Sequence, residues 1–213
     1  MFKIIKKTKY VFSIELLNAD PENEILLKSL INSKIMGAGT TITTSFDKIN
    51  FNATHVCTLE DLERKEKKLK YNEVNELLHS LSVQINYLEK FGYTFFNFSL
   101  DKIIVITKNK QKIFININTK HMLPIKNNLI TFLSPFSQKD KFLAPEIKKL
   151  CEIPSKLHYK CIYHSLGALA SYCLFDDYNK LDQIKYTKVY WSILQCMNED
   201  CERRNIILNI DFF

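Results

Sequence analysis

Four glycines, six cysteines and five histidines are the residues of this 213-residue chain whose types could hold a phosphate, a metal or a reactive thiol. Their spacing argues against each. A phosphate cradle of the G-x-G-x-x-G or G-x-x-x-x-G-K-[ST] kind needs two or three glycines close together, so that bare backbone N–H groups reach the anion. Gly37 and Gly39 are neighbours, but Thr40-Thr41-Ile42 follows where a Lys-Ser/Thr pair would stand. Gly37-Ala38-Gly39 reads as an ordinary turn, with a displaced phosphate loop as the alternative. Cys57, Cys151, Cys161, Cys173, Cys196 and Cys201 form no C-x-x-C pair and no Cys/His ligand spacing. Cys161 and Cys173 stand in apolar stretches, as reduced core cysteines do. His55, His79, His121, His158 and His164 share no ligand spacing and no obvious nucleophile partner.

The elements that would position a site are those of a compact α+β chain. Apolar residues at 46% and charged residues at 25% match the globular average, enough for one domain or one domain of two small lobes. Fifteen Phe and ten Tyr supply bulk that scarce Gly does not. The preference for Lys over Arg, with much Ile and Asn, reads as the bias of an AT-rich genome. The net charge of +7 admits nucleic acid or an acidic membrane surface. The lysines are scattered, however, and the densest run, Asp61 to Lys70, is mixed with acids as on a solvated helix face. A basic nucleic-acid-binding module is therefore an alternative and not the main expectation. Met1 to Lys7 holds no long apolar run, and the stretch Leu166–Phe175 is too short to cross a bilayer. No membrane partner and a reducing, cytoplasmic setting are expected.

Residues 1–60 read mainly as strands: Tyr10–Leu17, Thr40–Phe46 and His55–Leu59. One helix interrupts them, capped at Asp20-Pro21 and carrying Ile25, Leu26, Leu27, Leu30 and Ile31. Val74, Leu77, Leu78, Leu81, Ile85 and Leu88 then recur at helical steps, giving one apolar stripe that ends near Gly92. Lys102–Thr107 and Lys112–Asn116 form a hairpin with a polar tip. Residues 119–143 lack a period and read as an extended loop. Ile162–Phe175 is apolar almost all round, as a buried helix is, and a further helix covers about Thr187–Met197.

The order of long helix, hairpin, irregular loop, Ala-Pro-Glu and buried helix resembles the C-terminal lobe of the protein kinase fold. Phe142-Leu143-Ala144-Pro145-Glu146-Ile147 is similar to the motif that closes a kinase activation segment. Its spacing to Ser165-Leu166-Gly167 matches that before the family's central buried helix. Ile193 to Arg204 resembles the "L-x-x-D-P-x-x-R" segment, with Cys201 in place of Pro. The resemblance implies that Glu146 pairs with Arg204, buried and bidentate; the alternative is two exposed charges. His164 stands where the family often carries an aromatic, so a packing role is implied. More faintly, Tyr10–Leu17 resembles the strand of the phosphate-contacting lysine, Glu22–Ile31 the helix of its glutamate partner, and Thr54–Asp61 the hinge. The resemblance thus implies a two-lobed kinase-like fold: a truncated, β-rich first lobe over 1–60 and a mainly helical second lobe over 61–213.

Phosphoryl transfer in that family needs phosphate-holding groups, a proton-accepting Asp and metal-binding Asn and Asp. The corresponding positions here are degenerate. The strand lysine aligns with Ser13 or Phe12, and the H-R-D triplet reads Phe95-Phe96-Asn97. An amide accepts no proton at neutral pH, so Asn97 is no general base. The metal-binding Asn becomes Lys102, and the D-F-G position reads Asn116-Ile117-Asn118, without the anionic oxygen that Mg²⁺ prefers. Lys102 is a loop lysine or, alternatively, a phosphate contact. Gly92 and Gly167 fall at scaffold positions, while the nucleotide-binding glycines are missing. The resemblance therefore implies a pseudokinase without cofactor that binds or regulates a protein, such as another kinase or signalling protein. The alternative is a divergent, active protein serine/threonine kinase using ATP and Mg²⁺. Compact size and biased composition resemble proteins of large DNA viruses.

Overall fold

Phe2-Lys-Ile-Ile-Lys6 and Val11-Phe-Ser-Ile-Glu-Leu16 form an antiparallel pair, β1 (Phe2–Lys6) and β2 (Val11–Leu16), in register from Phe2↔Leu16 to Lys6↔Phe12. A computed structural model of the protein describes residues 1–18, 20–175 and 178–206. The expected helix after Asp20-Pro21 is α1 (Glu22–Ser33), but the Asp20 side chain does not cap it. The Asp20 carbonyl accepts from the Asn23 N–H at 2.9 Å, while its carboxylate accepts from Thr119 Oγ1 at 3.1 Å. The expected strand Thr40–Phe46 shrinks to β3 (Thr41–Ile42). Thr43 and Ser45 hydroxyls donate to Asp47 Oδ1 at 2.5 and 2.7 Å, local side-chain bonds that turn the chain instead. After β4 (Lys48–Asn52) the first sheet is complete, in the order β1-β2-β4-β3.

β5 (His55–Thr58) leads directly into α2 (Leu59–Glu66), whose N-terminus is capped by Thr58 Oγ1 accepting from the Asp61 N–H at 3.0 Å. In α3 (Tyr71–Lys90) the whole stripe Val74, Leu77, Leu78, Leu81, Ile85 and Leu88 is buried. Gly92, at φ +74°, turns the chain from α3 into β6 (Tyr93–Phe95). The hairpin β7 (Ile103–Lys108) and β8 (Gln111–Asn116) turns at Asn109 and Lys110, both at positive φ. β7 lies between β5 and β8, so Ile103 to Ile106 are buried on both faces.

The segment 119–143 is not wholly irregular. It holds β9 (Met122–Pro124) and β10 (Leu129–Phe132), and is followed by α4 (Pro145–Lys148) and β11 (Ser155–His158). β9 pairs with β6, and β10 with β11. The chain continues through α5 (Cys161–Phe175) and α6 (Lys188–Cys196), the two later helices expected from the pattern. No helix among the described residues is long and apolar enough to cross a membrane.

The architecture is mixed α+β. One core runs through both halves of the chain: Phe12, Ile14, Ile49 and Phe51 of the first sheet join Leu26, Leu27 and Leu30 of α1, the α3 stripe, and Leu166 and Leu169 of α5. A second cluster, Phe96, Ile130, Phe132, Leu143, Ala144, Ile147 and Cys161, lies under the segment 119–143. Gly167 explains how closely α5 and α6 approach. A Cβ there would stand 2.6 Å from Met197 Cγ and 3.0 Å from Cys196 Cβ. The scarcity of glycine leaves this one where no side chain fits.

Candidate functional site

Pro145 opens α4 in the first-turn position where its missing N–H costs nothing, and Glu146 beside it meets the turn at Cys201–Arg203 and Arg204 after it. Arg204, only 1% exposed, meets it there. Arg204 Nη2 donates to Glu146 Oε2 at 3.1 Å, Nη1 donates to Glu146 Oε1, and Nε donates to the Asn198 carbonyl at 2.8 Å. Nη1 also lies 3.3 Å from Cys201 Sγ. Burial pushes the Glu146 carboxyl up, but the bonds and charge of Arg204 outweigh it and hold the carboxyl below its usual range. Ala144 is fully buried beneath this tie, and Ser165 and Leu166 are fully buried on α5. Ser165 Oγ reaches the Phe96 carbonyl at 3.5 Å, the outer limit of a hydrogen bond. His164, half-buried, is pushed down to about 4, first by burial and then by the Arg204 charge, so it packs as a neutral ring.

The positions that the resemblance aligns with catalytic ones lie in three places. Asn97 is fully buried, and its amide donates to Asp140 Oδ2 at 3.0 Å, linking the turn after β6 to the far end of the segment 119–143. Asn116, at the end of β8, is held by Gln84 of α3. Its N–H donates to Gln84 Oε1 at 2.8 Å, and its carbonyl accepts from Gln84 Nε2 at 2.7 Å. Asn116 Oδ1 accepts from the Asn118 N–H at 3.3 Å. The Lys102 ammonium forms an ion pair with Asp101 and stands 5.7 Å above the Phe2 ring. At Asn116 and Lys102, the two positions that the resemblance aligns with metal ligands, the side chains offer an amide and an ammonium, a donor set that does not fit Mg²⁺. Ser13 stands apart. Its partners across the sheet are Ile5 and Asn50, on the face opposite Phe12, Ile14 and Leu16, and its buried Oγ has no hydrogen-bond partner. Glu24 of α1, on the helix that resembles the lysine partner's, instead binds Lys28 one turn on at 2.5 Å.

Around Asn97 the structure brings together side chains that the sequence did not connect. Phe96 packs on His121, Phe132 and Phe136 at ring-centroid distances of 4.6, 5.3 and 5.6 Å. These rings wall a cavity of about 460 Å³ whose polar edge holds Asp101, Lys102, Lys120 and Asp140. Burial lowers the His121 imidazole against the opposing charge of Asp140. Gln84 carried one usable signal, a polar residue on the buried side of the α3 stripe, fully buried in the structure. Asp140 and the rings carried none, since they come from segments far apart in sequence.

No protein-family model matches the chain, and no curated protein is significantly similar to it in sequence.

Proposed function

We propose that this protein is a catalytically inactive protein kinase-like domain, a pseudokinase with a reduced β-rich first part, acting by binding another kinase or a signalling protein. The observation that carries this is Asn97. It stands where phosphoryl transfer needs a proton acceptor, is an amide, and donates to Asp140 from a fully buried position. The bidentate Glu146–Arg204 pair beneath Ala144-Pro145 supports kinase likeness, because it joins two motifs 58 residues apart in the way the resemblance implies. Asn116 Oδ1 accepting from the Asn118 N–H and Asp101 pairing Lys102 support the loss of chemistry, since both side chains are engaged by contacts within the chain. The segment 119–143 is ordered by β9, β10 and the Phe96 ring cluster, which favours a fixed surface presented to a partner. Incubation with γ-labelled ATP, Mg²⁺ and a generic protein substrate transfers no label in this account. Stoichiometric transfer that Lys102→Ala abolishes would sink it.

A second reading has one observation in its favour. Asp101 and Asp140 bring two carboxylates to the edge of one cavity, where a divergent active kinase would need anionic oxygens. Label transfer lost in Asp140→Asn would establish that reading in place of the first.

A further inference from the structure

The segment over the cavity carries a marked excess of positive charge. Between Thr119 and Lys160 lie eight lysines and three acids. Glu146 is held by Arg204 and Asp140 accepts from Asn97, so two of those three acids already have partners inside the protein. Lys120, Lys126, Lys139, Lys141, Lys148 and Lys149 are exposed. The same stretch exposes Leu133 at 75%, on the rim of the 460 Å³ cavity. That volume lies within the range of sites that take a small ligand or a single anchoring side chain, about 300–1,000 Å³. A second cavity of about 230 Å³ shares Lys102, Asn118 and Lys120 with the first and carries the groove on towards Phe2 and Asn23. The result is an aromatic pocket continued by a groove, with two ammonium groups where they join.

We infer that this groove docks an acidic peptide segment of a partner protein, with one aromatic or leucine side chain seated in the pocket. An apolar anchor matches walls made of packed rings, where aromatic contacts add to simple burial. Acidic flanking residues match Lys120 on the lining and the exposed Lys139 and Lys141 on either side of Asp140, and complementary charge steers the encounter. Asp101 and Asp140 at the pocket edge offer acceptors to peptide N–H groups, donors that the phosphodiester backbone of a nucleic acid lacks, so a polypeptide is the occupant. The inference rests on the protein-binding reading above and names the chemistry of its partner.

The test is fluorescence anisotropy with labelled heptapeptides that carry three acidic residues on each side of a central Phe, Trp or Leu. Controls are the same peptide with central Ala, one with lysine flanks, and a single-stranded oligonucleotide of equal charge. The Phe peptide binds, and central Ala weakens it about 10-fold or more, the usual scale for a buried aromatic anchor. The surface variant Lys120→Glu weakens it about 5-fold, in a salt-dependent manner, and Phe136→Ala removes the preference for Phe over Ala. Equal binding of the Ala peptide, tighter binding of the oligonucleotide, or no binding of any apolar-centred peptide overturns the inference. ATP turnover measured on the same sample separates the two claims. Turnover with intact peptide binding contradicts the pseudokinase reading and leaves the dock standing, whereas failure of peptide binding without turnover removes the dock alone.

Discussion

Two buried polar regions of this chain are built to different standards. At the Glu146–Arg204 tie the guanidinium uses Nε and both Nη atoms, and both carboxylate oxygens are bonded. At the positions of Asn97, Asn116 and Ser13, by contrast, Asn97 Oδ1, Asn116 Nδ2 and Ser13 Oγ are each buried without a hydrogen-bond partner. A buried unsatisfied polar atom costs about 1–3 kcal/mol, so these positions carry a burden that the tie avoids. Polar residues at the tie are satisfied because they hold elements together. The leftover atoms at the other positions make no hydrogen bond in the folded chain. A third group sharpens the contrast. Glu89 is a carboxyl of similar burial that meets no guanidinium. Its oxygens accept from Tyr163 at 2.9 and 3.1 Å, and burial pushes it up to about 7 despite that hydroxyl and the nearby Lys160 charge.

The largest expected effect breaks the tie itself. Glu146→Ala leaves the Arg204 cation buried without its partner, and chemical denaturation is expected to show a loss of about 3–5 kcal/mol. Arg204→Lys keeps the charge but cannot bind both oxygens, and recovers less than half of that loss. A neutral outcome for Glu146→Ala would erase the difference between the regions.

The two carboxyls have opposite pH signatures. Glu89 is raised from 4.5 to about 7 in the folded state, so the folded chain holds a proton that the unfolded chain releases. Stability is therefore expected to fall by about 3 kcal/mol as pH rises from about 4.5 to above 7. Glu146 is lowered, so its contribution is present above about 4.5 and is lost as pH falls through its folded value. Denaturation midpoints across pH 4–8 for Glu89→Gln are expected to lose the neutral-range slope and keep the acid one.

Smaller effects follow from packing. Gly167→Ala gains helix propensity but drives a methyl into Met197 and Cys196, and a net loss of about 1–3 kcal/mol is expected in thermal melts. Ser13→Ala removes only an unpartnered hydroxyl. It is expected to be neutral or to stabilise by up to about 1 kcal/mol, and a loss greater than that would show that Ser13 is held in a way its orphan oxygen does not reveal.

Long elements were legible in the chain because each repeats one physical requirement many times. The α3 stripe and the apolar α5 announce themselves, and β7–β8 does so through Ile103 to Ile106 and a tip of Asn109-Lys110. β1 was missed because Lys3 and Lys6 lie on it, and its partner Glu15 is visible only once Lys3↔Glu15 register is known. β9, β10 and β11 span three or four residues each, too few for alternation to show. At the site, the Glu146–Arg204 pairing was reachable through the resemblance alone, since nothing local in either segment points to the other. The Asn97–Asp140 bond and the ring cluster around Phe96 bring together distant segments, and no spacing within a segment encodes them.

The most direct test of the central claim is the thermal melt of the intact protein titrated with ATP and Mg²⁺. A ligand at one hundred times its Kd stabilises by about 2.7 kcal/mol, or roughly 5–10 °C for a chain of this size. The account predicts no shift at millimolar ATP with or without Mg²⁺. A saturable, Mg²⁺-dependent rise of that size, lost in Lys102→Ala, would contradict it.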